Sequence, residues 1–75
     1  MPAPAHLVQE AERIMAFLRL APDTWTSTYI LRKQVLRTGD TARVRRLLVK
    51  LEDAGSIEAD RSCGNNTRWR VKRHD

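Results

Sequence analysis

The 75 residues carry 14 lysines and arginines against nine acids, a formal charge of +5, with 41% hydrophobic and 31% charged residues. Such a composition fits one small globular domain and excludes a disordered tail, a disulfide-built scaffold (there is a single cysteine) and a membrane span, which needs roughly 20 consecutive apolar residues. Residues 1–24 hold two bases against three acids and residues 25–75 hold twelve against six, an asymmetry that points to a polyanionic partner, nucleic acid before an anionic membrane surface.

Met1-Pro2-Ala3-Pro4 reads as a flexible leader without the basic start or apolar run of a secretory signal. One cysteine suits a reducing interior, so the cytoplasm is the expected compartment. From Ala5 to Leu20, the residues Leu7, Ala11, Ile14, Met15 and Leu18 recur at the spacing of an amphipathic helix, which Pro22-Asp23 stops. Phe17 lies off that stripe and, with Leu20, can leave apolar surface exposed. Trp25 begins a short extended piece. Thr26 or Ser27 can then cap a second helix, predicted over residues 26–37 and buried through Ile30, Leu31 and Val35, with Leu36 a further candidate.

In Thr38-Gly39-Asp40-Thr41 the glycine can take a positive φ and Asp40 can cap the next helix. This third helix, over residues 40–54, is predicted to turn Val44, Leu47, Leu48, Leu51 and Ala54 inward and to end at Gly55 as a left-handed C′ residue. Its other side carries Thr41, Ala42, Arg45, Arg46, Val49 and Lys50, with Arg43 on the flank. Over residues 56–73 the period falls from 3.6 to 2, predicting a hairpin whose turn lies in Ser62-Cys63-Gly64-Asn65-Asn66. Setting Ile57 opposite Val71 and Ala59 opposite Trp69 also sets Glu58 opposite Arg70 and Asp60 opposite Arg68, so both faces agree. A slip of two residues keeps the same parity. Trp69 is then a core residue, and Trp25 can form a small strand against the hairpin and cover it.

Residues 25–55, from Trp25-Thr26-Ser27-Thr28 to Glu52-Asp53-Ala54-Gly55, with the hairpin after them, resemble the winged helix-turn-helix superfamily. Leu48, Leu51, Gly55 and Ile57 stand in its Leu-x-x-Leu-x-x-x-Gly-x-Ile phrase, and the resemblance covers residues 5–73. More narrowly, Ala11-Glu12-Arg13-Ile14 with Gly55-Ser56-Ile57 is similar to small winged domains of mobile-element replication helicases and primases. The resemblance implies an α+β fold, a three-helix winged helix-turn-helix with a C-terminal two-stranded β-hairpin wing. It also implies sequence-specific or semi-specific binding of double-stranded DNA, in transcription regulation or at a replication origin. The third helix would enter the major groove and the wing would lie along the backbone or minor groove.

The residue chemistry fits that expectation. Arg43, Arg45 and Arg46 carry planar forks suited to guanine O6 and N7, and Lys50 suits a phosphate. Thr41 lies near helix-terminal amides that can receive a phosphate, although Asp40 would oppose one unless it turns inward as the cap. Arg32 and Lys33, with Arg37, are placed for the backbone, and the Tyr29 hydroxyl can donate to a phosphate. In the wing, Asn65 and Asn66 at the tip with Arg61, Arg68 and Arg70 can track phosphates. The competing readings are a solvated basic helix face, and a wing whose Arg68 and Arg70 neutralise Glu58 and Asp60, leaving Arg61 free.

His6, His74 and Cys63 are scattered, without the clustering that metal ligation needs, and no glycine-rich phosphate loop is present. No enzymatic activity, cofactor, metal, small-molecule substrate or membrane is therefore expected. The alternative function is a protein-interaction or dimerisation module of the same fold, working through the first helix. A homodimer and a larger parent protein are both compatible with so small a domain.

Overall fold

Helix α1 (Ala5–Leu20) follows the amphipathic stripe: Ile14 and Leu18 are buried, and Met15 and Phe17 pack against the same core. The computed structural model describes residues 5–62, 64 and 66–72, with side chains from Val8 onward. Expectations for the leader, the Leu7 and His6 side chains, Cys63, Asn65 and His74 lie outside the described residues. Among the described residues the chain is α+β, with three helical regions and one three-stranded antiparallel sheet. No described helix is long and apolar enough to cross a membrane.

The sheet orders as β1-β3-β2, with β1 (Thr26–Ser27), β2 (Ile57–Asp60) and β3 (Arg68–Val71). The hairpin has the register expected from parity and charge: Ile57 faces Val71, Glu58 faces Arg70, Ala59 faces Trp69 and Asp60 faces Arg68. Beyond a two-stranded wing, β1 adds a third strand on the other edge of β3, with Thr26 opposite Trp69 and Ser27 opposite Arg68. It gives the backbone groups on that edge of β3 partners they would otherwise seek from water or another chain.

Assigning Thr26 and Ser27 to the sheet shifts the start of the second helix. Helix α2 (Thr28–Ile30) begins after Ser27, whose hydroxyl accepts the Ile30 amide at 3.2 Å, and runs on as a π-helix over Leu31–Leu36. Its end departs from expectation. Arg37 is left-handed (φ 50°), the amides of Arg37 and Thr38 both reach the Arg32 carbonyl, and Arg32 Nη1 donates to the Thr38 carbonyl at 3.0 Å. The reversal is completed at Arg37, so Gly39 is not among the positive-φ residues.

Helix α3 (Thr41–Asp53) starts on Asp40, whose carboxylate accepts the Arg43 amide at 3.0 Å. At its other end Gly55 (φ 82°) gives its amide to the Glu52 carbonyl, and Ser56 gives its own to Leu51. This paired arrangement satisfies the orphan carbonyls of the last turn and needs a residue tolerant of the left-handed region. Val44 and Leu48 are buried and Leu47 and Leu51 half-buried, but Ala54, expected inward, is exposed, because the last turn passes beyond the core into the cap.

The core is Ile14, Leu18, Leu31, Val44, Leu48, Ile57 and Trp69, so every helix and both hairpin strands contribute. Its one large polar handle is satisfied: Trp69 Nε1 donates to Thr28 Oγ1 at 2.9 Å, and that hydroxyl donates to the Thr67 carbonyl at 3.0 Å. The Thr28 amide reaches the same carbonyl at 3.1 Å. Thr28→Val keeps the shape and strands the indole N–H, so it should cost about 1–3 kcal/mol. In thermal unfolding that corresponds to a fall in Tm of several degrees for a domain of this size; an unchanged Tm would show that the hydroxyl carries no stability.

Candidate nucleic-acid interface

On α3 the residues Ala42, Arg45, Arg46, Val49 and Lys50 fall at the i, i+3, i+4, i+7 and i+8 positions of a single face. They line a shallow groove of about 510 Å³. Arg45, Arg46 and Lys50 are exposed, and none forms an ion pair with a described residue. Among the described residues no acid lines the groove. Val49, expected to face outward, is half-buried: it packs against the core and also contributes to the groove.

Arg43 departs from the trio of guanine readers expected on this helix. Its guanidinium is ion-paired with Glu10 of α1, whose side chain is only 15% exposed, so Arg43 ties the first helix to the third. The N-terminus of α3 is likewise occupied. Asp40, itself exposed, caps the helix by accepting the Arg43 amide, which places a carboxylate where a phosphate would otherwise sit, and Thr41 beside it is half-buried.

The second helix presents a smaller basic cluster. Tyr29 is 52% exposed, with the Arg32 guanidinium 5.2 Å and the Lys33 ammonium 5.5 Å from its ring centre. Lys33 Nζ also donates to the phenol oxygen at 3.2 Å. Arg32 is therefore within cation–π reach of the ring and Lys33 is anchored at its hydroxyl, which limits the wandering of both. Arg37 is exposed at the end of this helix.

The hairpin arginines are engaged within the molecule. Arg68 pairs with Asp60 at 3.3 Å and Arg70 with Glu58, the cross-strand pairs expected. Arg61, expected to remain free, is not: it grips Glu52 of α3 with two hydrogen bonds of 2.8 and 2.6 Å and lies 5.7 Å from the Trp69 ring centre. The contact has a simple origin. The Schellman turn at Gly55 folds β2 back beside the last turn of α3, and this brings residues nine apart in sequence together. The Arg61 hydrogen bond holds the Glu52 carboxyl below the ordinary carboxylate range and in return raises the Arg61 pKa. Asp60 is lowered first by the Ser62 hydroxyl and amide, which donate to it at 2.6 and 2.9 Å. Asn66 is exposed at the hairpin tip. Arg70 also stacks on Trp25, 4.3 Å from its ring centre, so the half-buried indole serves as a platform for an arginine.

The expected basic surface is thus divided. The structure leaves Arg45, Arg46 and Lys50 as one outward group, keeps Arg32 and Lys33 around Tyr29, and commits Arg43, Arg61, Arg68 and Arg70 to internal pairs. Sequence reasoning missed the roles of Glu10 and Glu52, which depend on tertiary proximity. Among the described residues no group of His, Cys, Asp and Glu is placed to hold a metal ion. Compared with protein families, curated proteins and solved structures, the chain has no match in any of the three.

Proposed function

We propose that this chain is a winged helix-turn-helix domain that binds double-stranded DNA, with α3 lying in the major groove and no enzymatic activity of its own. The observation that carries the proposal is the outward face of α3, where Arg45, Arg46 and Lys50 surround a groove that, among the described residues, has no acid in its lining and gives these cations no ion-pair partner. Four arginines elsewhere are paired with carboxylates, whereas the three cations of this face lie together on one helix, an arrangement that attracts a polyanion. The sheet and helix order, and the phrase formed by Leu48, Leu51, Gly55 and Ile57, support the superfamily assignment. In this scheme Arg45 and Arg46 read bases, Lys50, Arg32 and Lys33 hold phosphates, and the hairpin has a secondary role through Asn66 and its tip. The cellular task is transcription regulation or recognition of a replication origin, in the cytoplasm.

A second function is favoured by one separate surface. Phe17, Leu20, Trp25, Ile30 and Gln34 line a groove of about 340 Å³ at the end of α1, and Leu20 is 84% exposed on its rim. A groove that carries its own protruding leucine suits a second copy related by a two-fold axis, and it shares no residue with the α3 face. Leu20→Asp should leave folding unchanged and shift a dimer to monomer in analytical ultracentrifugation. A wild-type chain that is monomeric at high micromolar concentration removes this second function.

For DNA, fluorescence anisotropy with random duplex should show log K falling against log salt with a slope of about −4.5, corresponding to roughly five neutralised phosphates. A flat salt response, or no binding at low salt, rejects the proposal. The two faces of α3 should also separate. Leu48→Ala should cost about 2–5 kcal/mol of stability, while Arg46→Ala should leave Tm nearly unchanged and weaken binding. If both variants lose stability alike, the outward face has a structural role instead.

A further inference from the structure

The outward face of α3 is more than a patch of charge. Two of its five groove residues are apolar, and they stand one heptad apart: Ala42 is exposed, and Val49 is half-buried with its outer surface turned to the groove. Arg45, Arg46 and Lys50 lie between and beside them. A surface that only gripped phosphates would have no use for an apolar floor between its cations, since phosphate oxygens want donors and water. In the major groove one apolar group projects from the base edges, the C5-methyl of thymine, and small apolar side chains are its usual contact.

We propose that Ala42 and Val49 are specificity-determining residues that receive thymine methyl groups, so that the preferred duplex places thymine next to the guanines read by Arg45 and Arg46. This deepens the DNA-binding proposal and rests on it. The spacing is compatible with one continuous site. Seven residues of helix rise about 10.5 Å, and a helix following the oblique major groove advances somewhat less along the duplex, roughly two to three base-pair steps of about 3.4 Å, so methyls at the two ends can flank contacts made by the arginines between them. Charge complementarity favours this occupant over an apolar protein segment, because three exposed cations rim the groove and no carboxylate among the described residues does. Ala42 and Val49 also divide the work physically. Val49 is held by the core and gives a rigid contact, whereas Ala42 in the first turn can be changed without touching the core.

The test begins with a duplex enriched from a random pool by the wild-type protein. Each thymine is then replaced singly by deoxyuridine, which keeps every hydrogen-bonding group and removes only the methyl. One or two positions should lose about fourfold in affinity, the size expected for withdrawing one methyl from an apolar contact. Deoxyuridine outside the footprint should change nothing. Ala42→Ser, at an exposed site, and Val49→Ala should each bind the thymine and deoxyuridine duplexes within about twofold of one another at the position they contact. Circular dichroism confirms that both variants are folded, and Ala42→Ser keeps the test valid if Val49→Ala is not. If binding is salt-dependent and sensitive to Arg46→Ala but indifferent to every deoxyuridine, the methyl contact is overturned and the DNA proposal stands. An enriched duplex without thymine beside guanine overturns it equally, and absence of duplex binding at low salt overturns both.

Discussion

The indole of Trp69 is the constraint on which the arrangement depends. It lies on the central strand with 1% of its surface exposed, and its N–H must find an acceptor inside the protein. Thr28 supplies that acceptor while its own hydroxyl and amide go to the Thr67 carbonyl. Thr28 is also the first residue of α2, immediately after the strand that pairs with β3 and the serine that caps the helix. One side chain therefore fixes where the second helix leaves the sheet. From there the π-helical turn, the left-handed Arg37 and the Asp40 cap determine how α3 is presented. The outward face of α3 inherits its orientation from a hydrogen bond on the far side of the chain in sequence.

Charge is distributed by the same local geometry. Cross-strand positions on the hairpin bring Arg68 to Asp60 and Arg70 to Glu58, the turn after α3 brings Arg61 to Glu52, and packing of α1 on α3 brings Arg43 to Glu10. The exposed Arg61–Glu52 pair is worth only about 0–1 kcal/mol, while the other three are part-buried. All four also act on the field. Each of these carboxylates cancels one arginine within a few ångströms, and among the described residues the bases left outside these pairs include the three on the groove of α3, the two beside Tyr29, and Arg13, Arg19, Arg37 and Lys72. In a domain of net charge +5, the face of α3 is thereby left with three neighbouring cations.

Much of the fold was legible because it follows from periodicity and caps. The hairpin register satisfied two conditions, apolar parity inside and opposite charges outside, and parity excluded a slip of one residue; a slip of two keeps the parity and still sets Glu58 opposite Lys72 and Asp60 opposite Arg70, so the structure makes the final choice. Asp40 and Gly55 were readable because cap chemistry acts within three or four residues. The failures lie where distant segments decide. Gly39 looked like the residue for a positive φ, but the π-helical ending places the reversal at Arg37, a position composition does not mark. Arg61 looked free because its partner, Glu52, belongs to a helix that only the turn at Gly55 brings alongside. Arg43 looked outward because Glu10, 33 residues earlier, is invisible to helical periodicity. The candidate interface was thus readable as a helix and a sign of charge, but not as the subset of side chains left available.

That subset has a further property, which comes from how α3 is built. Arg45, Arg46 and Lys50 stand clear of the core, so their replacement can alter what the face contacts with little effect on folding. Val49 cannot be separated in this way, since one side packs with the core and the other forms part of the groove. A larger residue there would press on close-packed neighbours, and a smaller one would leave a void. Charge on this face, like the exposed Ala42, is therefore free to vary, while the apolar relief at Val49 is tied to stability. Shape-based recognition at Val49 would accordingly be harder to change than the electrostatic contacts around it, and the most durable element of any sequence preference would be apolar.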